Sequence, residues 1–202
     1  MAFGTYAEIK SLVANYLGRD DLTSQIVDFV KLAEVRMRRD LRLREMLTST
    51  DLTVSSTNVA IPSDFAELRE LHIDSNPITQ LDYLPPTMFF RTARTKEVGK
   101  PVFYTMDGDN FKFGPSPDTT YTAKLLYYAN PEFLSDSNTS NVFLQVAPDC
   151  LLYGALAESE PFLMNDQRIT VWASLYDRAR QQLTIADDAG EFSGNPMAMS
   201  VT

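Results

Sequence analysis

The chain has 202 residues, of which 44% are hydrophobic and 22% charged, with a formal net charge of -9. That length holds one domain with a sizeable core, or a body with one inserted lobe, and the composition excludes a wholly disordered chain. The negative charge argues against a protein that wraps nucleic acid, because phosphate neutralisation needs a basic surface; it suits a surface past which DNA slides without sticking.

Thr5 followed by Glu8 is a capping-box pattern, and Tyr6, Ile9, Leu12, Val13, Tyr16 and Leu17 then make a helical stripe that Gly18 closes. After the polar connection RDDLTS, the stretch from Gln25 to Met46 reads as one long amphipathic helix on which the rest packs. Ile26, Phe29, Val30, Ala33, Met37 and Leu41 form its apolar stripe. Its far end carries Arg36, Arg38, Arg39, Arg42 and Arg44, with Glu34 to Arg38 and Asp40 to Arg44 in the favourable acid-first spacing. Arginines there also complement the negative pole of the helix.

After Met46 the period changes. Threonine and valine content in LTSTDLTVSS favours a strand, with NVAIPSDF as its hairpin partner across SSTN. LRELHID and ITQLDYL extend the strand region, and TMFFRTART, behind Pro85 and Pro86, suits a short helix. VFYTMDGDNFKF reads as a hairpin across DGDN, and YTAKLLYYA as a long strand with Tyr121, Ala123, Leu125 and Tyr127 on one side. These strands are mostly antiparallel, because their connections are too short for crossovers.

NPEFLSDSNTSN is a polar loop. Pro148 then opens a helix through Cys150, Leu152 and Leu156 that is interrupted near Pro161. Asn165 and Asp166 suit caps for a last helix containing Trp172, Leu175, Tyr176, Ala179, Leu183 and Ala186. Beyond it, a small and polar tail carries Met197, Met199 and Val201 at alternate positions. The expected fold is therefore α+β: a four-helix body made of N- and C-terminal helix pairs (1–46 and 146–190), an inserted, mostly antiparallel β lobe (47–145) and a flexible C-terminal tail (191–202).

Few residues suit chemistry. His72 is the only histidine and stands near no recognised nucleophile motif, Glu158 and Glu160 face different sides of a helix, and no glycine-rich phosphate loop occurs. The acidic loops lack the calcium-loop pattern. Cys150 is alone, so no intramolecular disulfide forms, and its apolar setting suits a buried thiol. The aromatics lack interleaved basic residues and suit packing better than base stacking. No metal, cofactor or catalytic residue is expected. Neither a secretory signal nor an apolar run of about 18 residues occurs, so no membrane contact is expected.

Four stretches together resemble the head-to-tail adaptor proteins of short-tailed bacteriophages, the group that includes tail tubular protein A and the adaptors of gene-transfer particles. They are FVKLAEVRMRRDLRLREM, IPSDFAELRELHIDSNPITQLDYLPP, GKPVFYTMDGDNFKFGPSPDTTYTAKLLYYA and LLYGALAESEPFLMNDQRITVWASLYDRA, and they cover most of the chain. The resemblance implies a non-enzymatic homo-oligomeric ring, dodecameric, between the portal protein and the tail nozzle or tail tube protein. Such a protein is made in the host cytoplasm, resides in the neck of the virion and lets DNA pass without sequence-specific binding.

The resemblance also implies that the C-terminal segment reaches the portal, which makes Gly194, Pro196, Met197, Met199 and Val201 portal-binding candidates. Subunit-interface candidates are the opposed charges Arg36, Arg38, Arg39, Arg42 and Arg44 on one side and Glu158, Glu160 and Asp177, with Asp166, Asp187 and Asp188, on the other. An alternative reading is a nucleic-acid-binding accessory factor that uses the same arginines. A small hydrolase built on His72 is a third.

Overall fold

The computed structural model describes residues 4–19, 21–93, 98–163 and 168–192. The chain divides into two compact units, Met1–Met46 with Pro131–Thr202 and Leu47–Asn130.

The first unit is helical. α1 (Tyr6–Leu17) has the expected capping box: the Thr5 side chain accepts from the Glu8 amide, Glu8 returns the bond to the Thr5 amide, and Gly18 ends the helix in the left-handed conformation at φ 65°. α2 runs from Thr23 to Asp40, not from Gln25 to Met46. Leu41 is extended (φ -117°, ψ 140°), and a single 3₁₀ turn follows at Arg44–Met46. The reason is periodicity: Leu41 and Leu43 are both about 1% exposed, and residues two apart point to one side only in an extended chain.

α4 (Val142–Val146), capped by the Asn141 side chain, α5 (Pro148–Ala157), the short α6 (Glu160–Leu163) and α7 (Arg168–Phe192) complete this unit. N- and C-terminal helices pack together: α5 lies against α1, α2 and α7, and α1 against α2. Gly154 of α5 allows this closeness, since a Cβ there would stand 3.1 Å from that of Ala33 and 3.3 Å from the Tyr176 ring. The body holds more helices than the four expected. Asn165 and Asp166, expected as caps of the last helix, lie outside the described residues.

The second unit carries β1 (Leu47–Val54), β2 (Asn58–Ala60), β3 (Phe65–Ile73), β4 (Thr79–Gln80), β5 (Asp82–Tyr83), α3 (Pro86–Thr92), β6 (Phe103–Asp107), β7 (Asn110–Gly114) and β8 (Tyr121–Ala129). They form two four-stranded sheets, β1-β8-β3-β4 and β2-β7-β6-β5. The strand pairs are antiparallel apart from β5 with β6. β6 and β7 make the hairpin expected across DGDN, with Gly108 at φ 59°.

β1 and β2 are not a hairpin. β1 pairs with β8 along its whole length, while β2 joins β7 in the other sheet. The distant strand wins because it gives β1 a partner of matching length and seats Leu52 and Val54 in a cluster with Ile73, Phe111, Phe113 and Leu125. The β region also ends sooner than residue 145. The unit built on the sheets closes at Asn130, and Pro131 onward packs with the helices, drawn there by the contacts of Glu34 and Arg38 described next.

Candidate interaction surfaces

The arginines at the end of α2 do not form a free basic face. Arg36 stands 3.8 Å from Asp40 and 3.5 Å from Glu158, with its guanidinium 4.3 Å from the Tyr176 ring centre. Arg38 lies over the Phe133 ring at 3.4 Å and donates to the Pro131 carbonyl. Arg42 folds back onto the Arg38 and Leu41 carbonyls at 2.8 and 2.7 Å. Arg44 reaches Asp187 of α7 through its backbone amide and Nε, at 3.1 and 3.3 Å. On α2, Arg39 is exposed and makes no such contact with the described residues.

Two charge sets expected to meet across a subunit boundary therefore meet within one chain, as Arg36 with Glu158 and Arg44 with Asp187. Asp177 pairs with Arg180 at 4.0 Å, and Glu160 is exposed. The expected Glu34–Arg38 ion pair is replaced by something else. Glu34 is 1% exposed and turns inward, where its carboxylate accepts from the Leu134 amide at 3.1 and 3.2 Å and from the Asn141 side-chain amide at 2.6 Å. Burial raises its pKa, against the lowering effect of those donors and of Arg38 and Lys31.

The same Asn141 Nδ2 also donates to the Glu132 carbonyl at 2.9 Å, and Oδ1 accepts from the Leu144 amide at 3.1 Å, which caps α4. Tyr6 donates its amide to the Thr139 carbonyl at 2.8 Å, and Lys10 reaches Asp136 at 2.8 Å. The polar segment 131–141 is thus a strap fastened to α1 and α2. Glu34, Phe133 and Asn141 were missed by the sequence reading. One signal was present: Glu34 lies four residues after Val30, inside the apolar stripe, where an exposed ion pair cannot sit.

The residues tested for chemistry are dispersed. His72 is half-buried on β3 with Nδ1 3.1 Å from Glu70. Cys150 is buried in α5, and burial pushes its thiol up to about 12, far from a reactive thiolate. Among the described residues no three His, Cys, Asp or Glu side chains are grouped to hold a metal, and no helix is long and apolar enough to cross a membrane.

Two surfaces of the β unit are notable among the described residues. Beside α3, a cavity of about 370 Å³ is lined by Phe89, Phe90, Phe103, Lys112, Phe113 and Ser116 among others. Phe90 on its rim is 54% exposed, with the Lys112 ammonium 5.1 Å from its ring centre. The second is the outer edge of β1, which ends its sheet. Thr48, Ser49, Asp51 and Thr53 are exposed along it, and Leu47 is 38% exposed. The portal-binding candidates Gly194, Pro196, Met197, Met199 and Val201 lie outside the described residues, and the first two residues of the expected tail, 191 and 192, belong to α7.

The family model described as SU10 adaptor protein matches residues 4–200 of the chain. No curated protein matches it.

Proposed function

The chain belongs to the SU10 adaptor protein family, a structural family, and from that premise we propose that it is a subunit of the ring that joins a phage portal to the tail. Identical copies close side by side, dodecameric by resemblance, and DNA passes through the lumen. The observation that carries this reading is the family match over nearly the whole chain. The net charge of -9 supports it, since an acidic wall does not retain a passing polyanion. The absence of membrane-spanning helices among the described residues accords with a place in the virion neck.

The alternative, a nucleic-acid-binding factor using the α2 arginines, needs guanidinium groups free to reach phosphates. Arg36, Arg38, Arg42 and Arg44 are held by their own chain, which disfavours it.

Native mass measurement of the purified chain, alone and mixed with portal protein, tests the ring. A closed oligomer in either sample is the expected result, and a monomer in both overturns it. Arg39 and Glu160 are exposed charges of the candidate set. Arg39→Glu weakens the ring while leaving thermal unfolding unchanged, and combining it with Glu160→Arg restores assembly if the two face each other.

A further inference from the structure

β1 is a lightly guarded edge strand. Long edges are normally blunted by charged side chains, lysine above all, by proline or by a bulge; LTSTDLTV has no lysine or proline and one charged residue, Asp51, and its pairing with β8 runs without a register shift from Leu47 to Val54. Among the described residues no strand pairs with its other side. Its two rows differ: Leu52 and Val54 are buried in the core cluster, while Ser49, Asp51 and Thr53 are exposed. A strand added here must be apolar on one row and small and polar on the other.

The sequence itself contains such a segment. α7 ends at Phe192, and beyond Pro196 the sequence alternates Met197, Met199 and Val201 with Ala198, Ser200 and Thr202. This segment matches the two rows of β1 and carries no charged side chain to desolvate. Pro196, which cannot donate to a ladder, stands before it.

We propose that the open edge of β1 receives residues 197–202 of a neighbouring copy as an added strand. The inference rests on the ring reading. Each copy gives one strand and takes one, a heterologous exchange that closes around a ring. Backbone hydrogen bonds supply the attachment and the methionine row the specificity. Single contacts of this length are weak, and closure of the ring makes them collective.

Cross-linking between full-length variants tests it. Ser49→Cys, Asp51→Cys and Thr53→Cys are each mixed with Ser200→Cys, oxidised, and mapped by mass spectrometry, with native mass recorded on the same samples. The buried Cys150 stays out of the exchange. The expected result is an oligomer in which one of the three registers gives a disulfide-linked pair containing one of each variant. Met199→Pro lowers association by about tenfold and Met199→Leu leaves it unchanged. An oligomer with no such pair at any register overturns the strand exchange and leaves the ring standing. A monomer with and without portal overturns both. A disulfide formed inside a single chain carrying both substitutions, or capture of the Ser200→Cys thiol by a portal subunit instead, also overturns the exchange.

Discussion

Glu34 and Asn141 are 107 positions apart in the chain and meet at 2.6 Å in the interior. One is an acid inside the apolar stripe of α2, the other the cap of α4, and the contact fixes where the chain re-enters the helical unit after its strands. The Asn141 amide donates both to this carboxylate and to the Glu132 carbonyl, and its oxygen accepts from Leu144. Such a shared, buried group is costly to break, because each orphaned donor keeps its desolvation cost.

Glu34→Ala is therefore expected to destabilise the helical unit by about 2–3 kcal/mol. Urea unfolding followed by the fluorescence of Trp172, the only tryptophan and buried in α7, reads this unit. Glu34→Gln is milder in stability and different in pH dependence. Burial raises the Glu34 carboxyl above 4.5, so folding binds its proton more tightly than the unfolded chain does. Its contribution is fully present below pH 4.5 and is lost as pH rises through the raised value. The stability difference between wild type and Glu34→Gln should change across that window and level off on either side; a difference independent of pH would contradict the assignment.

Arg38 and Phe133 hold the same strap from the other side, by ring stacking and by the Arg38 bond to the Pro131 carbonyl. Arg38→Lys keeps the charge but loses the planar stack and is expected to cost about 1–2 kcal/mol. A double-mutant cycle with Phe133→Leu should give a coupling of about 0.5–2 kcal/mol. Zero coupling would mean that the arginine acts through the carbonyl alone.

Local patterns were legible in the sequence: the Thr5–Glu8 capping box, the DGDN hairpin, the Pro-opened helices and the buried row of β8 all rest on neighbours a few residues apart. What was hidden depends on distant partners. The α2 stripe continues through Leu41 in sequence, and only the burial of Leu43 beside it shows that the helix has ended at Asp40. β1 and β2 have the spacing of a hairpin, and only the presence of β8 as a longer partner separates them into two sheets. The arginines likewise read as a surface array because their acids, Glu158 and Asp187, come from the other end of the chain.

Gly154 tests how tightly α5 is set against α2 and α7. A methyl there gains about 1 kcal/mol in helix propensity but presses on Ala33 and Tyr176 at 3.1 and 3.3 Å, so Gly154→Ala should remain within about 1 kcal/mol of wild type. Gly154→Leu overfills the contact and should cost about 3 kcal/mol or more, seen as a lower urea midpoint by Trp172 fluorescence. A tolerated leucine would show that the helices part easily there.

The last prediction concerns alkaline pH. Tyr176 is fully buried, and its hydroxyl donates to Asp40 at 3.0 Å beneath the Arg36 guanidinium. Burial first, then the negative neighbours, holds its pKa far above the ordinary 10. Burial and a bond to Asp64 push Tyr127 up to about 12. Both are raised relative to the unfolded chain, so their contributions are present below pH 10 and are lost as pH rises toward the folded values. The last fraction of tyrosinate absorbance should therefore appear only together with the loss of Trp172's buried emission. Tyr176→Phe removes one hydrogen bond, costs about 1 kcal/mol at neutral pH and takes one late-titrating group out of that final step. If the final step keeps its full amplitude in Tyr176→Phe, another tyrosine controls the alkaline transition.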